Sequence, residues 1–156
     1  MKRFNPIYGI LLVVAFTAAV LGADYAISGS ARDFIRVGPE KDGTVRIDIA
    51  DLGPNQVRFY RFLNAGNQEV KFLVGRDGER RLVVVFDAAE SDYKRKRGFR
   101  HEGEWLVNNK CETATRLAEA RDGRGGCAPV LLAHSEAGGS LILTESDILA
   151  GWRYFR

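Results

Sequence analysis

Apolar and polar positions fall into three regimes along this chain. From Ile7 to Ala23 the sequence IYGILLVVAFTAAVLGA carries no charge and follows Lys2 and Arg3. It reads as a helix that enters a bilayer, at the short end of the roughly 20 apolar residues that a core of about 30 Å requires, with Tyr25, Ala26 and Ile27 extending it toward the interface. After the polar stretch SGSARD the period changes to that of strands. TVRIDIADL from Thr44 alternates Val45, Ile47 and Ile49 against charged or polar neighbours, which is the pattern of a half-buried strand. Gly53-Pro54-Asn55 is turn chemistry leading into QVRFYRFLN from Gln56, and Ala65-Gly66-Asn67 turns into EVKFLVGR from Glu69. The dipeptide Asp77-Gly78 then separates that strand from RRLVVVFDA, whose unbroken apolar run fits a strand buried on both faces and paired with its predecessor as a hairpin.

From Ala89 to Gly126 charge and glycine dominate, and only WLVNN from Trp105 reads as a short strand. ETATRLAEAR from Glu112 has helical composition, with a loop as the competing reading. PVLLAH and SLILT read as strands, and Thr144 with Asp147 three residues on makes a capping-box-like start for one helical turn through Ala150, which Gly151 ends before a closing WRYF strand. The expected fold is mainly β (α+β), a compact antiparallel domain with one or two short helices behind a single N-terminal transmembrane helix. The boundaries are an anchor over 1–28, a linker and first strand over 29–43, and an exported domain over 44–156.

The basic N-terminal flank holds that end in the cytoplasm and places the domain across the membrane. A cleaved signal peptide shares the same flank and apolar run. Its small-x-small sites, Ala26-Ile27-Ser28 and Ser28-Gly29-Ser30, fall beyond the charged Asp24, and Leu21 spoils a cut after Ala23, so an uncleaved anchor is the preferred reading. Gly9, Ala15, Ala18, Ala19 and Gly22 are small enough for close helix approach, and Ala15, Ala19 and Ala23 share one face, so the helix is itself a candidate interaction element.

Composition changes this picture little. A chain of 156 residues, 46% hydrophobic and 10% aromatic, has the means to bury a core in the domain behind the anchor. The net charge of +3 is mild and the signs are interspersed, so no nucleic-acid footprint emerges. The one concentrated run is Lys94, Arg95, Lys96 and Arg97 with Arg100, a solvated loop tip or a contact for an acidic partner or anionic headgroups. Asp87, Glu90 and Asp92 just before it are oxygen donors that could take a hard cation or simply balance that charge. No Gly-x-Ser-x-Gly elbow is present, and Gly123-Arg124-Gly125-Gly126 lacks the Gly-Lys-Ser/Thr ending of a phosphate loop, so the expectation is a protein without catalytic activity of its own.

Cys111 and Cys127 enclose 15 residues, and in an exported domain the ordinary expectation is that they pair. A disulfide closing such a loop stabilises by about 3 kcal/mol on the chain-entropy account. Free or redox-active thiols are the second reading. The third is a metal site, zinc or an iron-sulfur cluster, in which His101 and His134 join Cys111 and Cys127. The spacing His101-x9-Cys111-x15-Cys127-x6-His134 is that of neither a zinc finger nor a Rieske centre.

Three stretches, FDAAESD from Phe86, GFRHEGEWLVNNKCE from Gly98 and GRGGCAPVLL from Gly123, together with the tail LILTESDILAGWRYF, resemble the FtrD-like family of membrane iron-sulfur proteins. In that family the first stretch reads Asp-Ala-Cys-x-x-Cys, the second Gly-Tyr-x-x-x-Gly-Asp-x-x-x-Cys-x-x-Cys and the third Gly-Gly-Cys-Asn-Pro. The resemblance implies a membrane-tethered exported domain associated with bacterial iron uptake. It implies integral membrane proteins of an iron-uptake or redox complex as partners, beside the bilayer that holds residues 7–27, and a location on the inner membrane with the domain in the periplasm. The ligands depart from the pattern. The family's cysteines fall on Ala89, Asp92 and Asn108, and only Cys111 and Cys127 remain, whereas a cluster takes four cysteines or two cysteines and two histidines. The resulting expectation is an accessory or binding subunit without the cluster, with an electron carrier or metal binder using Cys111 and Cys127 as the alternative.

Overall fold

The computed structural model describes residues 33–91, 94 and 96–156. The expected membrane helix over 7–27, its small-residue face and the candidate cleavage sites lie outside the described residues, among which no helix is long and apolar enough to cross a membrane. Eleven strands are described: β1 Phe34–Val37, β2 Thr44–Asp48, β3 Val57–Leu63, β4 Glu69–Arg76, β5 Leu82–Ala89, β6 Phe99–Glu102, β7 Trp105–Asn108, β8 Ala114–Arg116, β9 Pro129–Leu131, β10 Ser135–Ala137 and β11 Ser140–Thr144. Two short helices, α1 Leu117–Ala120 and α2 Glu145–Ala150, and a 3-10 turn over Trp152–Tyr154 complete Phe34–Arg156, which packs as one unit.

The middle layer is a five-stranded sheet in the order β1-β3-β4-β5-β9, antiparallel except for the parallel pair β1 and β3. Strand alternation sends Tyr60, Phe62, Val70, Phe72, Val74, Val84 and Phe86 to one face, where they meet Val45, Ile47, Leu141, Leu143 and Ile148 from the β10-β11-β2 sheet and α2. Leu73, Val83, Val85 and Ala89 go to the other face and meet Phe99, Leu106, Leu117 and Ala120 from the β6-β7-β8 sheet and α1. The fold is therefore a mainly antiparallel β protein in three layers with two cores. Strand β5, the LVVVFDAA run, is buried along almost its whole length because it lies between them.

The turns form where the polar punctuation stands. Asn55 and Asn67 take left-handed conformations in the two turns flanking β3, with φ of 54° and 60°. In the β4–β5 turn the Asp77 side chain, only 1% exposed, accepts from the amides of Glu79 and Arg81 at 2.9 Å each and from Arg81 Nε at 2.8 Å. Thr144 caps α2, accepting from the Asp147 amide at 3.1 Å, as the spacing of the two residues predicts.

Two expected elements are corrected. ETATRLAEAR is not one helix: Ala114–Arg116 pairs with Trp105–Val107 as β8, and only Leu117–Ala120 turns, because Leu117 and Ala120 are drawn into the second core. The closing WRYF is a 3-10 turn rather than a strand. Gly151 precedes it with right-handed φ of −82°, so its glycine is not there for a left-handed cap. A Cβ at this position would lie under 3.0 Å from the Phe86 ring, and the close approach lets Tyr154 fold back onto Phe86 at 6.3 Å between centroids. Strands β6 and β10 stand in segments where charge and glycine hide the strand period.

Two outcomes follow from this packing. Gly151→Ala forces a methyl into the Phe86 ring and is expected to destabilise by about 1–3 kcal/mol, read as a lower Tm against the parent chain. Burial pushes the Asp77 carboxyl up, but the Arg81 guanidinium and the Glu79 and Arg81 amides more than offset it, and the group ends below the ordinary carboxylate value. A depressed folded pKa contributes stability that is fully present above the unfolded value of about 4 and is lost as pH falls through the folded one. Urea unfolding between neutral and acid pH is therefore expected to show a loss at low pH that Asp77→Ala removes, at a cost of about 1–3 kcal/mol at neutral pH.

Candidate functional site

Three stretches far apart in sequence converge at one end of the central sheet. Strand β5 delivers Ala89 and then Ser91, the β6–β7 hairpin delivers Asn108 with Cys111 just beyond it, and the glycine-rich loop before β9 delivers Cys127. Ala89 lies opposite Pro129 in the β5–β9 register, and the Ser91 amide donates to the Gly126 carbonyl at 3.1 Å. Cys111 and Cys127 are joined in a disulfide with their Cα atoms 6.3 Å apart, and among the described residues no cysteine is free. The Ser91 hydroxyl lies 3.3 Å from the Cys127 sulfur and 3.8 Å from that of Cys111, and the Lys110 ammonium donates to the Ser91 carbonyl.

Asn108 ties this end together. It is wholly buried, its amide oxygen accepts from the Lys110 and Cys111 backbone amides at 2.8 and 3.1 Å, and its amide nitrogen donates to the Cys127 carbonyl at 3.0 Å. The side chain thus shapes the turn that presents Cys111 and fixes the strand end to the loop that presents Cys127. Gly98, at φ 61°, lets the chain pass over β5. A Cβ there would fall under 3.0 Å from the Asp87 carboxylate, which accepts from the Phe99 amide at 2.7 Å.

The remaining candidates are not gathered here. His101 lies beyond Phe99 toward the far end of the β6–β7 hairpin, its Nε2 2.7 Å from the Gly103 carbonyl. His134 follows β9 with Nδ1 2.9 Å from the Leu132 carbonyl. Leu132 bonds to Val84, which is five residues along β5 from Ala89, or about 17 Å of strand. Cys111 and Cys127 are therefore brought together and the two histidines are not brought to them. Among the described residues no group of three or more His, Cys, Asp or Glu side chains is placed to hold a metal ion. Asp87 turns into the second face of the sheet while Glu90 is exposed near Gly125, so these two do not converge on a hard cation, and Asp92 lies outside the described residues.

Of the basic run, Lys94, Lys96 and Arg97 are exposed and Arg95 lies outside the described residues. Lys94 lines an open groove of about 600 Å³ with Glu90, Arg153, Tyr154 and Arg156. Arg100 is engaged within the domain, with Glu102 at 2.6 Å, Glu112 at 3.0 Å and Asn109 at 3.2 Å, and its two carboxylate partners raise its pKa. Asn108 was foreseen as a lost ligand position. Its role as a buried anchor for both cysteine segments was not, and the signal available was Asn-x-x-Cys at the end of a strand, a spacing at which an asparagine side chain reaches the following amides.

A three-layer β domain whose three motif stretches meet at one disulfide defines the class. The chain belongs to the family described as membrane iron-sulfur containing protein FtrD-like, whose profile matches residues 52–155. No curated protein and no solved structure matches the chain. The family description carries an iron-sulfur cluster, and the donor set described here does not fit one. Ala89 offers no donor atom, both polar atoms of the Asn108 amide are engaged by backbone groups, and the two sulfurs are bonded to each other.

Asn108→Ala leaves the Cys127 carbonyl and two turn amides without their partner in a buried setting, and a loss of about 2–4 kcal/mol is expected in chemical denaturation. Asn108→Asp keeps the acceptor for the turn but buries a carboxylate against the Cys127 carbonyl, so it is expected to destabilise as well, and more at neutral pH than at acid pH, where the protonated carboxyl can donate. Equal midpoints for the parent and Asn108→Ala would remove Asn108 from this role.

Proposed function

We propose that this chain is a membrane-anchored accessory or binding subunit, with its domain on the exported side of the membrane, of an iron-uptake or membrane redox complex. Residues 7–27 hold it in the inner membrane with the N-terminus cytoplasmic, and the domain works by docking to integral membrane partners rather than by catalysis or by carrying a cluster. The observation that supports this reading is the fate of the ligand positions. Where the family pattern has cysteines, this chain has Ala89 and Asn108, and the two remaining cysteines close the glycine-rich loop onto the β7 end. A covalent link in that place engages the two softest donors among the described residues there.

A second reading has one observation in its favour. Both cysteines are only half-buried and the Ser91 hydroxyl lies against both sulfurs, so the pair is accessible for cycling between disulfide and dithiol.

The full chain, purified anaerobically from membranes after thiols have been trapped in the cell, separates these readings. The accessory reading expects a colourless protein without stoichiometric iron or zinc, whose two thiols react only after added reductant. Thiols already trapped in a large fraction of the molecules would favour the redox reading. A visible absorption band with stoichiometric iron would overturn both in favour of an electron carrier.

A further inference from the structure

Apart from the disulfide end, one surface of the domain carries an excess of positive charge. In the register of the central sheet Arg36 on β1 stands opposite Arg61 on β3, and Arg61 stands opposite Lys71 on β4. The three side chains share the face that carries the second core, about 5 Å apart from strand to strand. That core does not cover them: the Arg61 and Lys71 side chains keep 44% and 37% of their exposure, and Arg36 is exposed. Like charges directly opposite one another in a sheet repel. A single carboxylate, Glu69, stands among them, 3.7 Å from Arg61 and 3.3 Å from Lys71, and Arg36 makes no ion pair among the described residues. Three cations less one carboxylate leave an excess of two positive charges. The adjacent register row is aromatic, Phe34 against Phe59 at 5.7 Å, with the Lys71 ammonium 5.4 Å over the Phe34 ring.

We propose that the Arg36–Arg61–Lys71 row is a docking surface for the anionic phospholipid headgroups of the bilayer to which the chain is anchored. The proposal rests on the anchor reading given above. Seven residues lead from Ile27 to Phe34, and so short a chain reaches at most about 25 Å, so a surface beginning at Arg36 belongs to the part of the domain nearest along the chain to the headgroups. Charge complementarity selects the anionic lipid: each basic residue near such a surface favours association by about fivefold, or about 25-fold for two. Basic-aromatic rows suit that setting, since aromatic rings settle at headgroup level while the cations meet phosphate.

The test uses the full chain in nanodiscs of phosphatidylcholine alone or of an equal mixture with phosphatidylglycerol, with amine acetylation followed residue by residue in the mass spectrometer. Lys71 is expected to react on the order of tenfold more slowly in the anionic discs, with Lys41 as the exposed reference and with the protection relieved by high salt. R36E/R61E is expected to abolish the difference. Equal Lys71 rates in the two disc types would overturn the proposal, and so would protection that survives R36E/R61E. Protection seen only after an acidic membrane protein is added would overturn it in favour of a protein partner. Failure of the chain to stay in either disc would instead remove the anchor reading on which the proposal stands.

Discussion

Burial of β5 on both faces is the constraint from which the rest of the domain follows. A strand with one apolar face needs one covering layer. LVVVFDAA presents Val84, Phe86 and Ala88 to one core and Val83, Val85 and Ala89 to the other, and so requires two. The β10-β11-β2 sheet with α2 supplies the first cover, and the β6-β7-β8 sheet with α1 supplies the second. Because the strand is held from both sides, the residues that leave its end are placed without support of their own. Ala89 and Ser91 arrive at the disulfide end for that reason, and Asp87, the polar interruption in the run, is accommodated by the Phe99 amide and the bare Gly98.

The disulfide end is held together by one covalent bond and one buried amide. Cluster sulfides and thiolates hold separate segments together by coordination. Here the same segments are held by one covalent bond and by the Asn108 amide, which reaches both of them at once. An asparagine suits this place because it offers an acceptor to the turn and a donor to the opposite loop, where a cysteine offers neither with comparable strength. The glycine-rich RDGRGG loop gains from the link, since its residues bring little apolar surface of their own to hold it against the sheet.

What the residues reveal without coordinates depends on how local the cause is. The β2, β3, β4, β5 and β11 strands are legible because their apolar alternation, or its absence in the doubly buried β5, is written in single stretches. The α2 cap at Thr144 is legible for the same reason, whereas the pairing of Cys111 with Cys127 is legible from the presence of two cysteines in a domain read as exported. The β6–β7 and β10–β11 hairpins carry turn signals, Gly103 and the pair Gly138-Gly139, all at positive φ. Strands β6 and β10 are only four and three residues long and largely polar, so each turn lacked one flank to give it meaning. WRYF reads as a strand by composition and becomes a 3-10 turn because of Phe86, distant in sequence. The histidines are misleading for a related reason: proximity to cysteines along the chain does not place them on the same end of the sheet.

The charges divide according to whether the fold supplies their partners. Arg100 lies among Glu102, Glu112 and Asn109, and the buried Asp77 has Arg81 at 2.8 Å and Arg121 at 3.9 Å. Each of these groups is answered within the domain, and the turns they brace would be poorer without them. Arg36, Arg61 and Lys71 share one acid among three cations at adjacent register positions, an arrangement that costs the isolated sheet repulsion and braces no turn. Glu69 and the Phe34 ring answer part of that charge, and the excess that the domain leaves unanswered suits a counter-charge outside it. On the anchor reading proposed above, a short tether would bring such a counter-charge near in the headgroups of the bilayer.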